Sequence, residues 1–192
     1  MAPDTRERIL IAAVACVGRT GFARTSLDAI AEEAGVGRAT VYRYFPDGKD
    51  QLFDETIAWE VARFFTGLAA FVEAASGVAG RLEIGLPYAH RALAEHEVFQ
   101  KVLETEPERL LPHLSTSIPL ITEALRVYLT PLLEAEELAP GTDVAEAADY
   151  LARMILTFIR GQGTWDLGDP VQVTALVRGH LLAGILADPR AE

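Results

Sequence analysis

The sequence predicts an all-α fold, with a three-helix N-terminal unit followed by a larger helical bundle. Two observations carry this reading. The chain shows no sustained alternation of apolar and polar residues, and no Asn-Gly or Asp-Gly turn between β-branched runs. Its apolar residues recur instead at the three- and four-residue spacing of one helical face, in stretches broken at glycine- and proline-containing segments.

The elements follow in order. Ile9, Leu10, Ala13, Cys16 and Val17 predict a first helix from about Thr5 to Arg19, ending near Gly21. Thr25 or Ser26 can cap a second helix whose inward face is Leu27, Ile30, Ala31 and Ala34. Gly35-Val36-Gly37 breaks it after two turns, and a third short helix runs from Arg38 to about Phe45, where Pro46-Asp47-Gly48 ends it. Asp47 and Asp50 resemble a capping box at the head of a long helix, Lys49 to about Ala75, roughly 40 Å in length. After a turn at Gly77 to Gly80, a helix from about Val78 to His96 is expected to be interrupted by Pro87, with a short one to about Thr105. Pro107, Pro112 and Pro119 should divide the next stretch, so a separate helix is expected from Ser117 to about Glu137. Pro131 should strain it, since proline inside a helix costs about 3 kcal/mol.

Two final helices open on N-terminal boxes, Asp143-Val-Ala-Glu146 and Asp169-Pro170-Val-Gln172. One presents a stripe of Val144, Ala147, Ala148, Leu151, Met154, Ile155, Phe158 and Ile159. The other presents Val173, Leu176, Val177, Leu181, Gly184 and Ile185. Gly161-Gln-Gly163, between them, reads as a frayed helix end and not as a dinucleotide fingerprint.

Composition narrows the function. At 192 residues, half of them hydrophobic, the chain can bury a core without staples. Its 17 Lys and Arg against 28 Asp and Glu give a net charge of −11, which excludes a surface coated in basic charge. The charge is uneven. Residues 1–52 balance Arg6, Arg8, Arg19, Arg24, Arg38, Arg43 and Lys49 against an equal number of acids, so the acidic excess lies in residues 53–192. The single Cys16 excludes an internal disulfide and favours a reducing compartment, so a cytoplasmic protein is expected. The longest apolar run, Ile9 to Val17, falls far short of the roughly 20 residues of a membrane-spanning helix, and no membrane partner is expected. Asp4 and Glu7 offset Arg6 and Arg8 ahead of that run, which marks it as an amphipathic helix and not a secretory leader.

Two short helices joined by a glycine-containing turn, with a helix before them to pack across both, describe a helix-turn-helix DNA-binding unit. In Arg38-Ala-Thr-Val-Tyr-Arg-Tyr-Phe45, Val41 and Phe45 are four apart and can anchor one face, leaving Arg38, Thr40, Tyr42 and Arg43 on the others. Arg38 and Arg43 can pair with guanine O6 and N7 or with phosphates. Tyr42 and Tyr44 offer ring faces to thymine methyls and hydroxyls to phosphates, while Thr25, Ser26 and Thr40 are short phosphate donors. Lys49 stands near a helix N-terminus, itself an anion site. Taken singly, these residues read as solvated charges, caps and core edges. Gathered on one short helix and its flanks, they favour DNA contact.

At this point the sequence resembles the TetR family of bacterial transcriptional regulators, over about residues 6–53. The resemblance runs through Arg6, Ile9-Leu10, Ala12-Ala13, Gly21-Phe22, Thr25-Ser26, Ile30-Ala31, Ala34-Gly35-Val36, Arg38 to Pro46, Lys49 and Leu52-Phe53. One departure is visible, because Asp47-Gly48 puts two residues between Pro46 and Lys49 where the family more often has one. The resemblance implies a homodimeric regulator, with a DNA-binding domain at 1–48 and an effector-binding and dimerisation domain at 49–192. The partners it implies are a double-stranded DNA operator and a small-molecule effector, with no cofactor and no catalysis.

The last two helices include small residues, Ala147, Ala148, Gly179 and Gly184, that permit close helix approach. Their stripes can bury within one chain or between two. The resemblance places a dimer interface there, so Leu151, Ile155, Leu176, Val177, Leu181 and Gly184 are expected at a seam between subunits. Tyr88, Phe99, Leu103, Leu125, Tyr128, Met154 and Phe158 form an apolar and aromatic set suited to core or pocket. The resemblance implies a cavity among them, and the few charges nearby point to a mostly apolar effector.

Two other classes remain. His90, His96 and His113 with Glu95, Glu97, Glu104 and Glu106 would suit an all-helical enzyme, but His90 and His96 are six apart, not the three or four that share a helical face, and no metal site is expected. A helical dimerisation module without specific DNA binding is the third reading.

Overall fold

The structure is a computed structural model, described over residues 3–160 and 163–187. Gly161 and Gln162, part of the expected frayed end, lie outside the described residues. Helices α1 (Thr5–Thr20), α2 (Leu27–Ala34), α3 (Arg38–Tyr44), α4 (Lys49–Val72) and α5 (Gly77–Ala94) are followed by α6 (Glu97–Thr105), α7 (Pro107–Glu134), α8 (Val144–Phe158) and α9 (Pro170–Leu176). A π-helical turn, Val177–Leu181, continues directly from α9. The fold is all-α, and a single antiparallel bridge between Leu138 and Leu186 is the only β pairing among the described residues. No helix among the described residues is long and apolar enough to cross a membrane.

Capping chemistry sets several starts, those at Ser26, Asp143 and Asp169 as the sequence predicts. Asp4, Ser26, Asp143 and Asp169 each accept a backbone N–H from the first turn of the helix they precede, and Pro170 occupies the first turn of α9. At α4 the expected Asp47–Asp50 box is replaced by the Gln51 amide oxygen, which accepts from the Asp47 N–H at 2.9 Å.

The prolines break less than the sequence suggests. Pro87 lies inside a continuous α5, and α7 runs unbroken through Pro112, Pro119 and Pro131. Those three prolines are exposed, so the carbonyl each releases four residues earlier need not be buried without a partner. Burial of Leu125, Leu129 and Leu133 on the opposite side holds the helix together.

The chain divides into two compact units. The first comprises Met1–Phe64 and His96–Ile118, a different partition from the functional division expected at 48/49. Its core joins Ile9, Leu10, Ile30, Val41, Phe45, Leu52 and Phe53 to Val102 of α6 and Leu110 of α7. The second comprises Phe65–Glu95 and Pro119–Glu192. Its core holds Val78, Leu82, Leu86, Leu129, Leu133, Ala148, Leu151, Leu176 and Leu181.

This second core takes up most of the residues expected at the subunit seam. Leu151, Leu176 and Val177 are fully buried within one chain, Leu181 and Ile155 nearly so, and only Gly184 is exposed. Five of those six residues are spent on packing within the chain, while Val144, Met154, Phe158 and Ile159 of the α8 stripe remain half-buried.

Candidate functional site

The helix-turn-helix is positioned by side chains that hold its turns. Phe45 and Val41 are fully buried and anchor α3 from beneath. Gly35 closes α2 in the left-handed conformation at φ 63°. A β-carbon there would also come within 3.1 Å of the Arg8 guanidinium, which donates to the Ala34 carbonyl at 2.5 Å and to the Gly35 carbonyl at 3.3 Å. Arg19 and Glu33, 2.5 Å apart, add a tie between α1 and α2.

The turn between α1 and α2 is held from both of its polar sides. The Glu106 carboxylate accepts from the N–H groups of Phe22 and Ala23 at 2.8 and 2.7 Å. The Lys49 ammonium donates to the carbonyls of the same two residues at 2.8 and 3.3 Å. Burial, then the nearby Arg109 charge, pushes the Lys49 pKa below its ordinary value. Gly21 is required at this turn, because its φ is 83° and an added β-carbon would sit 2.3 Å from a Glu106 oxygen.

Anchored in this way, α3 presents Arg38, Tyr42, Arg43 and Tyr44 to solvent, with Thr40 half-buried. Tyr42 and Tyr44 are 39% and 36% exposed, a high exposure for two large aromatic side chains on one short helix. Arg38 pairs with Asp28 at 3.2 Å and its guanidinium lies 5.5 Å from the Tyr42 ring centre; Arg43 stands similarly over Tyr44 at 5.4 Å. Together they make a surface of two cations and two phenol rings, with Ser26 exposed at the start of α2.

Two candidate residues are placed differently. Thr25 is only 2% exposed, and its hydroxyl donates to the Gly21 carbonyl at 2.7 Å, so it stabilises the turn and its side chain cannot serve as a phosphate donor where it stands. Lys49 spends its ammonium on the two turn carbonyls. Glu106, Arg8 and Lys101, which donates to the Gly18 carbonyl at 2.6 Å, were absent from the sequence-based set. Arg8 lay in the basic tally of the first segment, but no local pattern joins Glu106 or Lys101 to a turn more than eighty residues away.

The second unit contains a cavity of about 340 Å3 lined by residues of α4, α5, α7 and α8. Leu125 and Tyr128 line it as expected. The other five members of the expected set do not. Phe99 packs in the first unit's core and Leu103 is exposed. Tyr88 stacks on Phe71 beside a separate shallow depression, while Met154 and Phe158 pack against the second core. The lining is instead supplied chiefly by Phe65, Leu68, Val72, Leu82, Leu86, Leu129 and Leu132, because α4 and α5 turn apolar faces to α7.

The histidines are dispersed among separate partners. His90 meets the Ile159 carbonyl at 2.9 Å, His96 meets Glu60 at 3.6 Å, and His113 meets Asp54 at 2.5 Å. Among the described residues no three potential ligands gather at one point.

Comparison with known proteins agrees with this architecture. The family described as bacterial regulatory proteins, tetR family, matches residues 9–56, from within α1 into α4. The nucleoid occlusion factor SlmA of Marinomonas sp. (strain MWYL1) is 26% identical over 162 residues, 82% of each chain. The HTH-type transcriptional regulator LmrA of Bacillus subtilis (strain 168) is 39% identical over 54 residues, which span 28% of this chain and 29% of that one. A TetR-family regulator from Mesorhizobium loti shares the fold with a TM-score of 0.65 at 18% identity, over 95% of this chain and 97% of the other. The matched residues are those of the helix-turn-helix held on buried Val41 and Phe45 and of the start of α4, and it is through this unit that the chain resembles the TetR family.

Proposed function

We propose that the protein is a ligand-responsive repressor that binds an inverted-repeat operator as a homodimer and is released by a small, mostly apolar effector. The observation that carries this reading is the exposed α3 surface of Arg38, Tyr42, Arg43 and Tyr44 above a fully buried Val41 and Phe45. Such a helix can enter a major groove, with arginines reading guanine edges or phosphates and tyrosines meeting thymine methyls. Ser26 and Thr40 would add short phosphate contacts.

A symmetric site needs two recognition helices about 34–36 Å apart, which requires a second copy of the chain. Since the expected seam residues are buried, the subunit contact falls to exposed apolar side chains of the second unit, among which Leu120, Val127, Tyr150 and Val171 stand out. The cavity supports the effector half of the reading, being within the roughly 300–1,000 Å3 range of small-molecule sites and lined almost wholly by apolar side chains. An effector releases DNA only by binding the low-affinity state more tightly, and typical couplings are about 1–3 kcal/mol. The reading is tested by selecting bound fragments from genomic DNA with the full chain and footprinting the product. A protected inverted repeat supports it, and no enrichment by protein refolded free of ligand contradicts it.

A further inference from the structure

Arg81 is the one charged residue in the lining of the cavity. It projects from α5 among Leu82, Val78, Leu129 and Leu132, and no carboxylate lies within salt-bridge distance of it among the described residues. One terminal nitrogen donates to the Tyr128 hydroxyl at 3.2 Å, and Tyr128 lines the same cavity. The Nε–H is buried with no acceptor, the only such side-chain polar atom among the described residues. A guanidinium whose Nε–H is buried without an acceptor, with no counter-charge beside it, is costly, and the cost is relieved by an anion that brings two acceptor oxygens. The Tyr128 oxygen accepts from Arg81, which leaves its own proton to be donated.

Resting on the reading of this cavity as the effector site, we propose that the effector is an anionic amphiphile. Its carboxylate pairs with the Arg81 guanidinium and the Tyr128 hydroxyl, and its apolar body lies among Leu68, Val72, Leu86 and Leu129. The carboxylate supplies a counter-charge to Arg81 among largely apolar side chains, where charge-assisted hydrogen bonds are strong. A neutral ligand of the same shape would leave the guanidinium unpaired, and a cationic one would add repulsion.

The test measures binding to the full chain by calorimetry, without DNA, using decanoate, decan-1-ol and decylamine. Decanoate is expected to bind about tenfold or more tighter than the alcohol, and the amine most weakly. In Arg81→Met the preference for decanoate should vanish while binding of the alcohol persists or improves. The ligand-free melting temperature of this variant should equal or exceed that of the unsubstituted protein, since a buried unpaired charge has gone. Tyr128→Phe should narrow the preference by several-fold. Equal binding of acid and alcohol, an unchanged preference in Arg81→Met, or no binding of decanoate would each overturn the proposal. Decanoate that binds through Arg81 without changing operator affinity would instead contradict the regulatory reading and leave this one standing.

Discussion

The two compact units differ in how far along the chain their candidate sites are gathered. The α3 face and its supports from α1 and α2 come mostly from residues before 46, and the side chains that face outward sit one helical turn from the side chains that hold them. The cavity in the second unit is assembled from positions between Phe65 and Ile155, on four helices. A recognition face needs only a well-anchored short helix, because exposure is the default for polar side chains. A cavity is what remains after several helices have packed, so its lining depends on their mutual registry. Consistent with this, local spacing places Arg38, Tyr42 and Arg43 on the exposed face of α3, whereas only Leu125 and Tyr128 of the expected pocket residues line the observed cavity.

Substitutions can break this contrast, beginning with the cores. Phe45→Ala removes the fully buried anchor of α3 and should cost about 3–5 kcal/mol in denaturant unfolding, with operator binding lost as a consequence. Leu129→Ala, at the cavity wall, should cost about 2–5 kcal/mol while enlarging the space for ligand, so thermal stabilisation by bulkier apolar compounds should grow. Equal loss of DNA binding without unfolding in both variants would erase the distinction drawn between the units.

Smaller effects sharpen it. Gly21→Ala forces a side chain onto a backbone region that is almost exclusively glycine's and against Glu106, and should cost about 1–3 kcal/mol by thermal melting. Ser26→Ala removes the cap on α2, accepting from Ala29 N–H at 3.1 Å, and should cost about 1 kcal/mol. A loss of operator affinity in Ser26→Ala much beyond that stability change would mark the hydroxyl as a DNA contact as well as a cap.

Much of the fold is legible in the sequence because its signals are local. The caps at Ser26, Asp143 and Asp169, and the glycine that ends α2, act within a few residues of the helix they bound. The prolines of α7 mislead because the cost of a lost hydrogen bond depends on burial, and Pro112, Pro119 and Pro131 all lie on the exposed side. The stripes of α8 and α9 carry a related ambiguity. An apolar stripe shows that a face is buried but not by what, and Leu151, Leu176 and Val177 are buried by their own chain. Glu106 stands out in the sequence only as a member of the His and Glu cluster, since its role as acceptor for Phe22 and Ala23 exists only once α6 and α7 have packed beside α1.

The central claim is that α3 reads DNA through side chains the fold does not need. The most direct measurement compares affinities of the unsubstituted protein and a Tyr42→Ala/Arg43→Ala variant for the selected operator and for a scrambled duplex, at one salt concentration. The account predicts that operator affinity falls about a hundredfold, affinity for the scrambled duplex falls only several-fold, and the melting temperature is unchanged. An unchanged ratio between the two duplexes, in a variant that remains folded, would contradict it.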